Sequence, residues 1–86
     1  MMVRYSKRFT KQYQRLSPKL QLKTKARIRL WKNRPRDESL RLHRLSGKLK
    51  HLYSIDITGD IRAVYEVIDD EVYLYQMIGT HSQLYD

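Results

Sequence analysis

The apolar positions of the chain follow two periods, and the change between them falls near its middle. Val3 to Tyr5 is a short apolar start that predicts a first or edge strand. Ser6 can then cap a helix to about Leu16, with Phe9, Tyr13 and Leu16 forming one buried stripe at helical spacing. Ser17-Pro18 restarts the pattern, Ser as N-cap and Pro at the first helical position, where its missing N–H costs nothing. This second helix should run to about Asn33, because the residue before Pro35 avoids helical geometry. It carries two stripes: Leu20, Ile28 and Trp31 on one side, with Leu22, Ala26 and Leu30 nearly opposite. One stripe can cover a sheet; the other must meet the first helix or a partner.

After a loop over residues 34–39 the pattern alternates. Leu40 to Leu45 reads as a strand, Ser46 to Lys50 as a Gly-containing basic loop, and His51 to Thr58 as a strand with Tyr53, Ile55 and Ile57 on one face. Thr58-Gly59-Asp60 is a turn into Ile61 to Ile68, where Ile61, Ala63, Tyr65 and Val67 lie together. Asp69-Asp70 is the tip of a hairpin into Val72 to Ile78. The expected fold is α+β: a short strand, two helices, then a twisted antiparallel sheet packed on the helices, as one domain over residues 1–86. Alternation also puts Ser54, Asp56, Thr58 and Arg62 on the opposite, uncovered face.

Charge sharpens the picture because it is unevenly placed. The net charge is +9, and residues 1–50 hold 17 of the 18 Lys and Arg, with Asp37 and Glu38 their only acids. A surface so one-sided attracts phosphate backbones, and an acidic protein partner would be drawn to it as well. With no cysteine, a disulfide framework and a thiolate metal site are both excluded. No apolar run approaches the roughly 20 residues that span a bilayer, and no apolar leader core follows the cationic start, so a soluble cytoplasmic protein is expected.

Candidate chemistry gathers in the second half. Gly79-Thr80-His81 follows the last strand, with Tyr85 four residues beyond His81: a possible proton donor beside a possible base-stacking ring, just past a Gly that lets the backbone turn. His43 lies on the first strand of the meander, and Lys48 and Lys50 flank Leu49 in a spacing that suits successive phosphates. Asp56 and Arg62 share the uncovered face, where an exposed salt bridge is the plain alternative. The three His at 43, 51 and 81 lack metal-ligand spacing, and the basic loop lacks the pattern of a nucleotide-binding phosphate loop, so no metal or cofactor is expected.

The succession Leu42-His43-Arg44-Leu45-Ser46-Gly47-Lys48-Leu49-Lys50, Tyr53-Ser54-Ile55-Asp56-Ile57, Gly59-Asp60-Ile61-Arg62-Ala63-Val64-Tyr65 and Ile78-Gly79-Thr80-His81-Ser82-Gln83-Leu84-Tyr85 resembles the RelE/ParE toxin superfamily. Its ending is most similar to that of the YafQ-type mRNA interferases. The resemblance implies a RelE-like fold and the toxin of a type II toxin–antitoxin pair, a ribosome-dependent endoribonuclease with a cognate antitoxin and an antitoxin-mediated link to operator DNA. It assigns catalytic roles to His43, Asp60, Arg62 and His81 and a terminal aromatic role to Tyr85; at Asp56 the chain departs from the YafQ pattern, which has a further His there. The residues suit that chemistry: RNA's own 2'-OH attacks the adjacent phosphorus, so a base, an acid and cations suffice without a metal. His43, assisted or replaced by Asp56 or Asp60, is the candidate base and His81 the candidate acid; Lys48, Lys50 and Arg62 would steady phosphate charge, and Tyr85 would stack a base. A ParE-like DNA gyrase inhibitor and a non-catalytic ribosome- or nucleic-acid-binding module are the alternatives on the same fold.

Overall fold

In the computed structural model, which describes residues 1–85, the chain runs β1 (Met2–Tyr5), α1 (Lys7–Gln14), α2 (Pro18–Asn33), β2 (His43–Arg44), β3 (Leu52–Asp56), β4 (Ile61–Asp69), β5 (Val72–Thr80) and α3 (His81–Tyr85). Asp86, the last residue of the closing stretch, lies outside the described residues. Both N-caps form as the sequence predicts: Ser6 Oγ accepts the Phe9 N–H and Ser17 Oγ accepts the Leu20 N–H. Ser6 also donates to the carbonyl of Gln76 at 2.8 Å, which ties the start of α1 to β5.

The five strands form one sheet in the order β1-β5-β4-β3-β2. β2 to β5 pair antiparallel, whereas β1 runs parallel to β5, with Val3 opposite Tyr73 and Tyr5 opposite Tyr75. A parallel neighbour needs a crossover, and the α1–α2 hairpin is part of it. α2 lays Ile28 and Trp31 on the sheet, where Trp31 is fully buried with ring centroids 4.9 Å from Tyr65, 5.2 Å from Tyr75 and 5.4 Å from Tyr73. Phe9, Leu40, Ile55, Ile57, Ile61, Ala63 and Ile78 complete this core. Thr24, also buried on α2, satisfies its hydroxyl on the Leu20 carbonyl at 2.8 Å.

Three expectations need correction. Residues 40–45 are not a strand: Asp37 caps a single 3₁₀ turn, Glu38–Leu40, by accepting the Ser39 N–H at 3.0 Å and hydroxyl at 2.6 Å, bonds that hold its carboxyl below the usual range. Arg41 follows with φ 48°, breaking the extended run so that His43 and Arg44 alone pair with β3. Of the two expectations for the second α2 stripe, contact with α1 is not met: Leu30 packs at the core edge, but Leu22 is 68% exposed and Ala26 is open to solvent. Val67, placed with the core by alternation, is exposed toward the hairpin tip, past a register shift between Val64 and Tyr65.

The opposite face of the sheet is not bare either. Leu52, Val64, Met77 and Leu84 form a second buried cluster, flanked by Leu45, Leu49 and Tyr85. Alternation requires this arrangement, since Leu52, Ser54 and Asp56 point away from α2. The lid on this face is α3, a five-residue helix that begins two positions past Gly79. Its start is a reciprocal cap: Gln83 Oε1 accepts the Thr80 N–H at 2.9 Å, and Thr80 Oγ1 accepts the Gln83 N–H at 3.2 Å. Gly79 sits inside β5 beneath that cap rather than at a turn, and a Cβ there would stand 2.7 Å from Gln83 Oε1 and 3.4 Å from Leu84. Its lack of a side chain is what lets α3 fold back.

Two outcomes follow from this packing. Gly79→Ala should lower stability by about 1–3 kcal/mol, and in a Gly79→Ala/Gln83→Ala double variant the two losses should sum to more than the measured total, because the second change removes the clashing amide; strictly additive losses in urea unfolding would contradict the clash. Burial also holds the Tyr75 hydroxyl, which has no hydrogen-bond partner, well above the ordinary phenol range. The folded chain thus keeps a proton that the unfolded chain releases above about pH 10, and stability falls as pH rises through that region. Tyr75→Phe should be as stable as the parent or more so at pH 7, with a shallower alkaline loss; a melting temperature that declines as steeply for both above pH 10 would reject this assignment.

Candidate functional site

The site is assembled on the α3 side of the sheet, at the β2–β3–β4 junction. Directly opposed residues of antiparallel strands share a face, so His43 opposite Ser54 and Asp56 opposite Arg62 all project toward α3. His43 is exposed, and its Nδ1 lies 3.0 Å from the Arg41 carbonyl oxygen. A carbonyl can only accept, so the contact suits the tautomer with its hydrogen on Nδ1, which in the neutral ring leaves a lone pair on Nε2.

Asp56 and Arg62 form an ion pair, the plain alternative for these two residues, at 3.6 Å between Oδ1 and Nε, but it is not exposed, the Asp56 side chain being only 14% accessible. A second cation shares that carboxylate, since Arg41 Nε lies 3.7 Å from Oδ2. The Asp56 carbonyl meanwhile accepts from Arg27 Nε at 3.1 Å, and the same guanidinium reaches the Ser39 carbonyl at 2.5 Å and hydroxyl at 3.2 Å. Arg27 therefore fastens α2 to the end of β3 and the turn before β2.

Under α3 the polar groups are buried and underused. Ser54 Oγ, Arg62 Nε and Tyr85 Oη are all shielded from solvent, and none makes a hydrogen bond of normal geometry. Burial pushes the Tyr85 hydroxyl up, against the opposing pull of nearby Ser54 and Arg62, so it is a neutral donor at physiological pH. Its ring meets His81 edge to face, centroids 4.8 Å apart. A path of neighbours results: His81 touches Tyr85, Tyr85 lies by Ser54 and Arg62, and Ser54 stands opposite His43.

The remaining candidates lie around this path. Ile61 pairs with Thr80, which places exposed Asp60 and His81 one position beyond that pair at the same end of the sheet. Lys48 and Lys50 are exposed at the 3₁₀ turn Gly47–Leu49, past the Leu52 end of β3, so the site is flanked by basic and acidic ends rather than ringed by cations. Gly47, at φ 63°, is needed for the left-handed turn itself. Arg44 pairs with Tyr53 instead, on the helix face, and lies 5.8 Å from its ring. Arg41 and Ser54 are the residues that sequence reasoning missed. Arg41 was hidden in an expected strand, and Ser54 gave no sign that its hydroxyl would meet a buried tyrosine. Among the described residues no group of three or more His, Asp or Glu is placed to hold a metal ion.

Comparison with known proteins agrees with this architecture. No curated protein sequence matches the chain. Among solved structures, YafQ from E. coli strain BL21(DE3) superposes with a TM-score of 0.83 at 20% identity, over 98% of this chain and 97% of that one. The E. coli DinJ–YafQ toxin–antitoxin complex matches with a TM-score of 0.81 at 20% identity, covering 98% and 96%. The intact E. coli RelBE toxin–antitoxin complex matches with 0.68 at 21% identity, covering 92% and 94%. These likenesses establish the RelE-like α+β fold. A family model described as the bacterial toxin of type II toxin–antitoxin systems, YafQ, matches residues 1–86, and the chain belongs to that family.

Proposed function

We propose that this toxin is a ribosome-dependent endoribonuclease that cuts mRNA through attack of a 2'-OH on the adjacent phosphodiester. The observation that carries the reading is the path from His43 through Ser54 and Tyr85 to His81, with Arg62 beside it, on one sheet face. His43, with Nε2 free, accepts the 2'-OH proton; His81 donates to the departing 5'-oxygen. Arg62 meets the charge that develops on the phosphorane, and Lys48 and Lys50 hold flanking phosphates. Tyr85 supports His81 through their edge contact and offers the rest of its ring to a base, while Asp60 lies at the acid end of the site. Asp56 has a guanidinium against each of its carboxylate oxygens, so its assigned role is to aim Arg62. Because the nucleophile belongs to the RNA, the step needs no metal. Its place of action is the cytoplasm, where translating ribosomes present the message, and no described helix is long and apolar enough to cross a membrane.

We further infer a cognate antitoxin with an acidic amphipathic segment. It would seat in the groove of about 550 Å³ between α1 and α2, whose apolar wall includes Tyr5, Phe9 and Ile28 and whose rim carries Lys25, Arg29 and Lys32. Contact with operator DNA would run through that antitoxin.

Primer extension on a translated message tests the first reading. Cuts within codons on ribosomes are expected, and His81→Ala should slow them by about 10²–10⁴-fold. Wild-type cleavage by His81→Ala would reject the acid assignment; intact mRNA alongside stalled DNA replication would favour gyrase inhibition. For the antitoxin, stopped-flow association should slow as ionic strength rises, while the bound complex keeps its apolar anchor. An association rate indifferent to salt would remove the charge-steering part of the proposal.

A further inference from the structure

The residue in the least comfortable backbone conformation stands two positions before His43. Arg41, at φ 48° and ψ 45°, is the one non-glycine with positive φ among the described residues, a conformation that L side chains rarely adopt. Two bonds hold it there: its N–H donates to the Glu38 carbonyl at 3.0 Å, closing the 3₁₀ turn, and its own carbonyl accepts from His43 Nδ1 at 3.0 Å. An extended Arg41 would carry that carbonyl elsewhere. The side chain is engaged separately. It is 79% exposed, yet its Nε is 3.7 Å from Asp56 Oδ2, while the other oxygen of the same carboxylate faces Arg62 Nε at 3.6 Å. Two guanidiniums against one carboxylate leave one net positive charge, and an arginine has five N–H donors, more than a single carboxylate can absorb.

We propose that Arg41 serves the site twice: its carbonyl sets the tautomer of His43, and its guanidinium, tethered by Asp56 beside Arg62, binds an RNA phosphate neighbouring the one that is cut. The second role rests on the ribonuclease reading; the first does not. Through its carbonyl Arg41 is a positioning residue for His43, and through its guanidinium it is a substrate-binding one. The strained backbone is what allows one residue to do both, since the left-handed turn sends carbonyl and side chain to different partners.

Each role has its own measurement. Nitrogen-15 NMR of the histidine rings, with the His43 signals identified by their loss in His43→Gln, should find His43 in the Nδ1–H tautomer when neutral; an Nε2–H tautomer overturns the positioning role. Arg41→Gly, which accepts the left-handed backbone and keeps the carbonyl, should retain the Nδ1–H signature. For the phosphate role, binding is measured to a single-stranded RNA oligonucleotide made uncleavable by 2'-deoxy substitution at the scissile position. Arg41→Gly should weaken it by about 5–10-fold at low salt and reduce the slope of log affinity against log salt by about 0.7, the contribution of one phosphate contact, with Arg41→Lys restoring most of the slope. An unchanged slope in Arg41→Gly, or no binding by the parent chain at low salt, overturns the phosphate role. Should the slope fall as expected while the parent leaves translated mRNA intact, the phosphate site stands and the ribonuclease reading fails.

Discussion

The face that carries the candidate site depends on the burial of Trp31 against Tyr65, Tyr73 and Tyr75 on the other side. Its indole is fully enclosed, and truncating such a side chain typically costs about 3–5 kcal/mol, a large share of what a domain this small can hold. Once α2 is locked on that face, the strand period leaves no freedom. Ile55, Ala63 and Tyr65 must point at the helices, so Ser54, Asp56, Arg62 and Val64 must point away. The site residues are on their face because the core residues are on theirs.

What covers that second face is small. α3 is five residues long, anchored by Leu84 in an apolar cluster and by the reciprocal cap between Thr80 and Gln83. A cover of this size buries Tyr85 Oη, Ser54 Oγ and Arg62 Nε without giving any of them a hydrogen bond, Arg62 Nε having only the ion pair with Asp56. On the same face stands Arg41, with its positive φ and its carbonyl 3.0 Å from His43 Nδ1. Trp31 Nε1 and Tyr75 Oη are left without a partner in the helix-side core as well, so it is the strain at Arg41 and the exposure of His43, His81 and Asp60, rather than the unsatisfied groups alone, that set this face apart.

Charge is organised on the scale of the whole chain. Helices without a single acid supply the basic rim of the α1–α2 groove, while Asp69, Asp70 and Glu71 gather at the far tip of the β4–β5 hairpin. The field is therefore strongest over the helices and the turn bearing Lys48 and Lys50, the surfaces assigned here to polyanionic and acidic partners. Within the site itself the balance is finer: one carboxylate, Asp56, sets the relation between two guanidiniums.

Much of the fold was legible from local signals. Ser6 and Ser17-Pro18 announce their helices because capping is decided within a turn of the chain, and the strands around Ile55, Ala63 and Tyr75 announce themselves because burial on one face imposes alternation. The candidate residues His43, Asp56, Arg62, His81 and Tyr85 were likewise visible as residue types in order. Tertiary structure decided the rest. The parallel β1–β5 pairing joins segments some 70 positions apart, and no local pattern encodes it. Arg41 leaves the extended region only because Asp37 turns the chain, Leu40 is drawn into the core, and His43 and Asp56 wait for its two ends. The tail at Gly79 folds back into a helix rather than running on, since its lack of a side chain opens room for Gln83, and the second apolar cluster then gives Leu84 somewhere to go. A sequence states which groups are available and which faces they share; whether a hydroxyl ends buried beside an arginine, or a carbonyl under a histidine, depends on contacts that exist only after the chain has closed.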